Sequence, residues 1–539
     1  MTTFDLTREP WIKVLLASGE EAELSLRDVF DRAHEITRLA GELATQDVAI
    51  LRLLLAILRR SLRDRAGVEA WGDLWQQDGL DTEPVHRYLD EYQGRFDLLH
   101  PERPFYQVAD LRTAKGGFTE LARLIADMPT GEKFFTNRAG AGAATIPLAE
   151  AARWVVHTQA MDPSGIKSGA IGDDTVKGGK GYPIGIGWCG WLGLIVVEGE
   201  SLYRTLLLNL PWATTDSDPD RDLPVWELDA PQSSARDDRR PRGPADLQTW
   251  QSRRLRLHVE NASAIGILIC NGDALHPRNR FRDEFMTSWR RSEAQMKALG
   301  TAEDVWMPRA HQTNRQIWRS LAALLADHPD RGSEMKQGRW QEWLDELQSE
   351  GELPRGESVR LRCVGMEYGS QSSTTADVID DVLALPLAVL TDPKSRRAAI
   401  EAVVDAEKFV KRLGTLAMDI EEASGGSGDA LPPVRDAAKE EAYGCLDEPY
   451  RRWLARLQVG DDPQTQRREW QQQAAQIVEG VGQRLLSSAS PSAWIGHLKD
   501  DQTKDAALAD RRFRAGLARE LADLTPDDIP PASTQGETT

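Results

Sequence analysis

The sequence predicts an α+β fold: a large mixed domain over 1–385, a C-terminal four-helix bundle over 386–525 and a disordered tail over 526–539. Three observations carry this. At 539 residues the chain exceeds what one hydrophobic core organises. Up to about residue 385 short strand-period and helix-period stretches alternate. From Asp392 onward only helical period remains.

In chain order, Trp11-Ile12-Lys13-Val14 reads as a short strand, and Ser25 as the cap of a helix running through Val29 and Phe30. Residues 46–60 are strongly apolar and end in Arg59-Arg60, which predicts a buried helix too short to span a bilayer. Residues 96–107 form a proline-punctuated loop whose aromatic residues anchor it to the core. The glycine and alanine loop 131–145 follows, then a helix with Leu148, Ala152, Val155 and Val156 inward. Residues 164–187 hold many glycines and three lysines before a strand from Trp191 to Val197; so much glycine implies close backbone approach or positive φ. Residues 213–248, rich in Asp, Pro, Ser and Arg, read as a long surface excursion. Between Val359 and Leu383 strand period gives way at Gly369-Ser370-Gln371-Ser372-Ser373 to a predicted helix capped by Thr374 or Thr375.

The bundle is read from four stripes. Asp392-Pro393 supplies a cap and a first-turn proline for Ile400, Val403, Val410, Leu413, Leu416 and Ile420, which end at Gly425-Gly426. Tyr443, Leu446, Tyr450, Trp453, Leu454 and Leu457 make the second, interrupted by Pro449. Trp470, Ala474, Ile477, Val478, Val481 and Leu485 make the third, and Ala509, Phe513, Leu517, Leu521 and Leu524 the fourth.

Composition bounds the function. With 40% hydrophobic and 28% charged residues the chain is ordinary globular material, and a net charge of −19 argues against a surface that coats nucleic acid everywhere. Positive charge is local instead. Seven arginines face three aspartates from Arg236 to Arg256, an excess of +4, and 278–291 carries an excess of +3. Four widely spaced cysteines, Cys189, Cys270, Cys363 and Cys445, fit a reducing compartment, and the N-terminal segment lacks the order of a signal peptide. A cytoplasmic protein with no membrane partner is expected.

No catalytic constellation is legible. Gly185-Ile-Gly187-Trp-Cys-Gly190 matches a dinucleotide string, but a strand follows where a helix N-terminus is required. Gly165-Ile166-Lys167-Ser168 is half a phosphate loop, with Ile166 replacing the glycine before the lysine. The nine histidines include no pair at metal-binding helical spacing, and Asp173-Asp174 and Asp380-Asp381 point in different directions on any element. Neither a catalytic residue, a metal site nor a cofactor is expected. Lys167, Lys177, Lys180 and the arginine clusters are candidates for phosphate contacts, the alternative being a solvated charged face; Arg315 and Arg319 flank Trp318 on a predicted helix after Gln312.

Together these stretches, in this order, resemble the large subunit of the type I-E CRISPR surveillance complex, the CasA-type subunit of Cascade. They are the WIKV strand and LSL helix start, the FDLLHPERPFYQ loop, the FFTN glycine loop, the KSG and KGG segments before GYP, the YGSQSS tip and the closing bundle. The resemblance implies a non-enzymatic subunit that binds the 5′ handle of the guide RNA, reads the PAM of double-stranded target DNA from the minor groove, wedges the strands apart and recruits the helicase-nuclease. Its partners would be guide RNA, target duplex, other Cascade subunits and that effector. A degenerate, narrow minor groove suits small backbone-rich loops, and base pairing with a guide removes the need for an extensive base-reading surface.

By the same resemblance Gln371 is the wedge, with Ser370 and Ser372 in the minor groove. Asparagine and alanine flank the glutamine in a familiar pattern, so the PAM preference stays open here. Gly165, Gly169, Gly178, Gly179 and Lys180 are candidates for the glycine loop, and one of Arg278, Arg280 and Arg282 for a basic finger. Phe135, Thr136, Asn137 and Arg138 are similar to the loop that meets the handle. Two other classes stand beside this reading: a nucleotide hydrolase using residues 164–190, and a scaffold whose loops meet protein only.

Overall fold

The computed structural model describes residues 3–523 except 66, 129–135, 137, 139–143, 213–217, 239, 326–333, 354–357, 459 and 500–501. Phe135 and Asn137 therefore lie outside the described residues, as does the expected tail. The chain divides into two compact units, Met1–Leu383 and Ala384–Thr539.

Unit 1 opens with an antiparallel sheet in the order β2-β1-β3, where β1 is Ile12–Leu16, β2 Glu21–Leu24 and β3 Ile36–Leu39. Between β2 and β3 lies α1, Leu26–Asp31, started by a capping box in which Ser25 and Asp28 satisfy each other's backbone N–H. The helix at its centre is α2, Ala44–Ser61, with 15 of its 18 residues buried, so it is apolar nearly all round as the sequence implies. The loop at 96–107 is anchored by Phe96 and Phe105, which stack at 5.7 Å. Next comes α3, Leu148–Met161, followed by the two-residue strands β4, Lys167–Ser168, and β5, Lys180–Gly181. Strand β6, Leu194–Glu198, starts later than expected because residues 188–191 form one tight turn first. A long ribbon pairs β7, Arg253–Glu260, with β8, Ser263–Asn271.

The stretch expected as a surface excursion is packed where it is described. Glu227 takes both nitrogens of the Arg60 fork at 2.7 Å, and Trp226, 1% exposed, donates to Tyr88 Oη. Asp222 caps the helix Pro244–Gln248, accepting from Ala245 and Asp246 N–H. Asp222, Glu227 and Asp246 are thus drawn inward, while Asp218, Asp220, Asp229, Asp237 and Asp238 stay exposed. The +4 arginine cluster is similarly internal in part: Arg253 and Arg254 are 1% and 2% exposed and engaged by Asp162 and Asp273.

After Tyr368 the expected helix is a strand. Strands β9, Ser358–Tyr368, and β10, Thr375–Pro386, form a hairpin, with β9 also antiparallel to β6. Thr375, Val378, Ile379 and Val382 are β-branched and favour the pleated state once a partner strand is present. Arg362 on β9 locks the pair, donating to Asp380 of β10 at 2.7 and 2.8 Å and to Asp47 of α2 at 3.2 Å. Arg315 precedes its predicted helix, which begins only at Ile317.

In unit 2 four long helices, α4 Pro393–Ala423, α5 Leu431–Leu454, α6 Pro463–Ser488 and α7 Ala506–Asp523, account for the four stripes. Helix α4 touches the other three. Asp392 caps it through Lys394 and Ser395 N–H. Pro449 stands inside α5 without ending it, and Leu486 rather than Leu485 is buried on α6. Helices are not alone here: Pro491–Ile495 and a hairpin of His497–Lys499 with Gln502–Lys504 separate α6 from α7. Buried Asp405 of α4 receives Arg467 and Gln471 of α6, and Tyr450, Trp453 and Trp470 pack as a trio with centroids 5.1–5.7 Å apart.

A buried polar centre of unit 1 is Arg52 of α2, bidentate to Glu284 at 2.8 and 2.9 Å with both side chains at 2% exposure or less. Trp188 Nε1 and Met286 N–H also donate to that carboxylate. Burial alone would raise the Glu284 pKa; Arg52 and Trp188 outweigh it and hold the group below its ordinary value. Removing one member leaves an unpaired buried charge, so Glu284→Gln is expected to cost unit 1 about 3–5 kcal/mol, and Arg52→Met with Glu284→Leu distinctly less. Urea unfolding followed by tryptophan fluorescence measures both; equal losses would contradict the pairing argument.

Candidate nucleic-acid interface

Gln371 sits at the tip of the β9–β10 hairpin. Gly369 N–H closes the turn onto Thr374 C=O at 3.0 Å, and Ser373 Oγ donates to Ser370 C=O. Gln371 and Ser372 both have φ of 54°, the left-handed region that non-glycine residues rarely enter, here twice in succession. Such strain costs on the order of 1 kcal/mol or more per residue and persists where the surroundings over-determine it. Ser370 and Gln371 are exposed.

The ribbon β4–β5 provides the second part. Lys167 faces Gly181 and Ser168 faces Lys180 in its register. Lys177 and Lys180 exchange two backbone hydrogen bonds at 3.1 Å across Gly178-Gly179, whose φ of 57° and 71° make the two-residue turn that matches strand twist. Gly169 is required for a different reason, since a Cβ there would lie 2.4 Å from Val176 Cγ1 and 2.9 Å from the Gly179 carbonyl carbon. Lys177 and Lys180 are exposed at the ribbon's end.

Tip and ribbon meet, although about 200 residues of sequence separate them. Ser164 N–H donates to Ser372 C=O at 2.7 Å, and a Cβ on Gly165 would touch Ser373 Cβ at 3.9 Å. Both are fastened to the end of α3. Tyr368 Oη donates to Met161 C=O at 2.6 Å, Gly187 N–H to Asp162 C=O at 2.9 Å, and Lys167 Nζ reaches the Asp162 carboxylate at 2.6 Å. Arg253 of β7 pairs with the same carboxylate and donates to Pro163 and Gly185 C=O. Burial raises the Asp162 pKa, but Lys167 and Arg253 together outweigh it and hold the group below the usual carboxylate range. Burial likewise depresses Lys167.

Other expected site residues lie elsewhere. Arg280 pairs loosely with Asp283 at 3.7 Å, and Arg339 donates to Arg282 C=O. Asn279, at φ 57°, fixes their loop to Trp306. Arg138 is bound by Asp127 at 2.9 Å and Glu150 at 2.6 Å and donates its N–H to Thr136 Oγ1, so its charge is balanced within unit 1. The sequence did not single out Asp162, and it placed Arg253 in a cluster offered for phosphate contacts, whereas Arg253 is buried on the Asp162 carboxylate. Only Pro163, which signals a helix end after α3, pointed near Asp162. The loops of the hydrolase alternative are assigned otherwise: Lys167 is held on Asp162, and 185–190 leads into a turn and strand with no helix N-terminus to bind phosphate.

Residues 5–481 match the family described as CRISPR-associated protein Cse1. The chain belongs to the Cse1 family. Its members are the CasA-type large subunits that the sequence resembles. Among relatives, the Cse1 of Thermobifida fusca is 43% identical with a TM-score of 0.90, covering 96% of this chain and 98% of that one. Cse1 from Acidimicrobium ferrooxidans is 32% identical with a TM-score of 0.81 over 98% and 100%. The CasA/Cse1 protein of Thermus thermophilus is 28% identical over 79% of each chain. A structure described as a CRISPR RNA-guided surveillance complex shares the Cse1 fold at 20% identity and a TM-score of 0.61, over 96% and 100%. No described helix is long and apolar enough to cross a membrane.

His157 lies on α3 one turn before Met161, 2% exposed and bonded to Thr45, and burial pushes its pKa down to about 4. A base depressed in the folded state leaves stability intact above the unfolded value near 6.5 and loses it as pH falls toward 4, because only the unfolded chain then takes the proton. The contribution reaches about 3 kcal/mol. The stability difference between wild type and His157→Gln is expected to shrink between pH 6.5 and 4 in urea titrations; a pH-independent difference would contradict a neutral buried ring.

Proposed function

We propose that this Cse1 protein is the PAM-reading, strand-opening large subunit of an RNA-guided surveillance complex and itself performs no catalysis. The observation that carries the proposal is the hydrogen bond from Ser164 to Ser372, which joins the glutamine tip and the glycine ribbon into one head. The head has the chemistry the task needs. Its leading surface is backbone, serine and one long amide, slim enough for the minor groove and able to donate and accept. Gln371 is exposed at the apex, where the backbone at 371 and 372 is left-handed. Exposed Lys177 and Lys180 supply positive charge on the ribbon, against an overall charge of −19 that disfavours non-specific coating.

Gln371 acts as the wedge between the first base pairs, with Ser370 and Ser372 beside it and Gly165, Gly178, Gly179 and Lys180 against the groove. The close approach of Gly169 to Gly179 keeps the ribbon thin. Arg278, the member of its cluster for which no ion pair is present among the described residues, is the candidate basic finger. Thr136 and Arg138 shape the ground beside the guide handle rather than lending it free charge. Within that complex the partners are guide RNA, target duplex, the other subunits and a recruited helicase-nuclease. Unit 2, which has its own core, is the part available to hold neighbours.

In the assembled complex Gln371→Ala is expected to abolish or slow opening of a PAM-bearing duplex at least tenfold while leaving assembly intact, with permanganate reactivity of PAM-proximal thymines as the readout. Unchanged opening and binding would favour a scaffold. Arg278→Ala is expected to lower the slope of log affinity against log salt by about one unit, the signature of one lost phosphate contact; an unchanged slope removes Arg278 from the interface.

A further inference from the structure

Directly beneath the tip unit 1 contains a cavity of about 310 Å³. Its walls come from residues 122–128, the last turns of α3, the 163–168 approach to the ribbon, Ile269 of β8, and Ser373 and Thr375. Ser164, Gly165 and Ser373 thus border both the cavity and the junction that holds Gln371 in place. The lining is mixed. Leu124, Ile125, Met161 and Ile269 are apolar and buried, while His157 and Thr158 offer uncharged polar edges. Asp162 and Lys167 also line it, with Asp162 shared between Lys167 and Arg253. At the rim Arg123 is exposed, and its guanidinium has no ion pair or hydrogen bond among the described residues.

We propose that this cavity receives one nucleotide extruded from the duplex, from the strand that does not pair with the guide; the proposal rests on the strand-opening reading above. Parting a base pair leaves two bases without partners. The guide pairs with one, and the other stays unstacked beside the wedge. An isolated base needs apolar contact for its faces and polar groups for its edges, which Leu124, Ile125, Met161 and Ile269 on one hand and His157, Thr158 and the serines on the other provide; a volume near 300 Å³ is the lower range of small-molecule sites, and an unpaired cation at the mouth suits the one phosphate that follows. The cavity opens beside Ser164, Gly165 and Ser373, at the foot of the tip that carries Gln371. Occupying it opposes re-annealing, so the wedge is backed by a trap for the base it displaces. No covalent step is involved.

The test uses the assembled complex with its guide and PAM-bearing duplexes carrying 2-aminopurine at successive positions of the displaced strand. Acrylamide quenching reports shielding, and permanganate reports opening. One position next to the PAM is expected to be shielded at least about fivefold relative to its neighbours, the lower bound for capture of a single base. Ala122→Trp, which fills the cavity from its rim, is expected to remove the shielding while permanganate still detects opening. Arg123→Gln, on an exposed side chain that carries no fold contact, is expected to weaken the shielding and serves if the tryptophan variant does not assemble. Opening without any shielded position, shielding that survives both variants, or shielding only on the guide-paired strand would overturn the pocket and leave the wedge standing. Absence of opening in the wild type, seen by permanganate alone, refutes the strand-opening reading and the pocket with it.

Discussion

Asp162 takes one cation from the ribbon, Lys167, and one from β7, Arg253, at a place where it is itself 5% exposed. A lone carboxylate there would be costly by several kcal/mol, and two cations at the C-terminal end of α3 are also favoured by the helix dipole. The same short segment receives Tyr368 from the hairpin on Met161 and Gly187 on the Asp162 carbonyl. Four separate stretches of chain are therefore indexed to one helix end. The strained tip depends on this arrangement, because left-handed backbone at Gln371 and Ser372 survives only if its base cannot relax.

A second buried centre fixes that helix end in the unit. Arg52 of α2 holds Glu284, which holds Trp188, and the turn containing Trp188 begins directly after Gly187. Arg362 ties the hairpin base to α2 through Asp47. Each of these charges is matched and hydrogen-bonded, which is why they specify positions rather than simply destabilise the core.

Much of this was legible in the sequence, and the failures have identifiable causes. Capped amphipathic helices announced themselves, as with Ser25 before α1 and Asp392-Pro393 before α4, because cap chemistry and apolar period are local. The stretch after Thr375 read as a helix because Val378, Ile379, Val382 and Leu383 recur at helical spacing; the upstream partner strand Ser358–Tyr368 decided otherwise. The polar stretch at 218–248 looked solvated because the partners of its charges, Arg60 and Asp246 among them, come from other segments or from its own fold-back. Gln371 was found as an odd amide at a turn and through family likeness. Asp162 was not, and Arg253 was read as part of a phosphate-binding cluster rather than as its partner, since long-range pairing leaves no periodic trace.

The central claim is that tip and ribbon form a single mechanical body fixed at Asp162. Hydrogen–deuterium exchange of the full chain, comparing wild type with Asp162→Asn, addresses it most directly. The account predicts faster exchange together in peptides covering 161–187 and 366–375, including the Ser164, Gly187 and Gly369 amides, while the β1–β3 sheet stays unchanged. Acceleration confined to the peptide that carries residue 162, with 366–375 as slow as in the wild type, would contradict it.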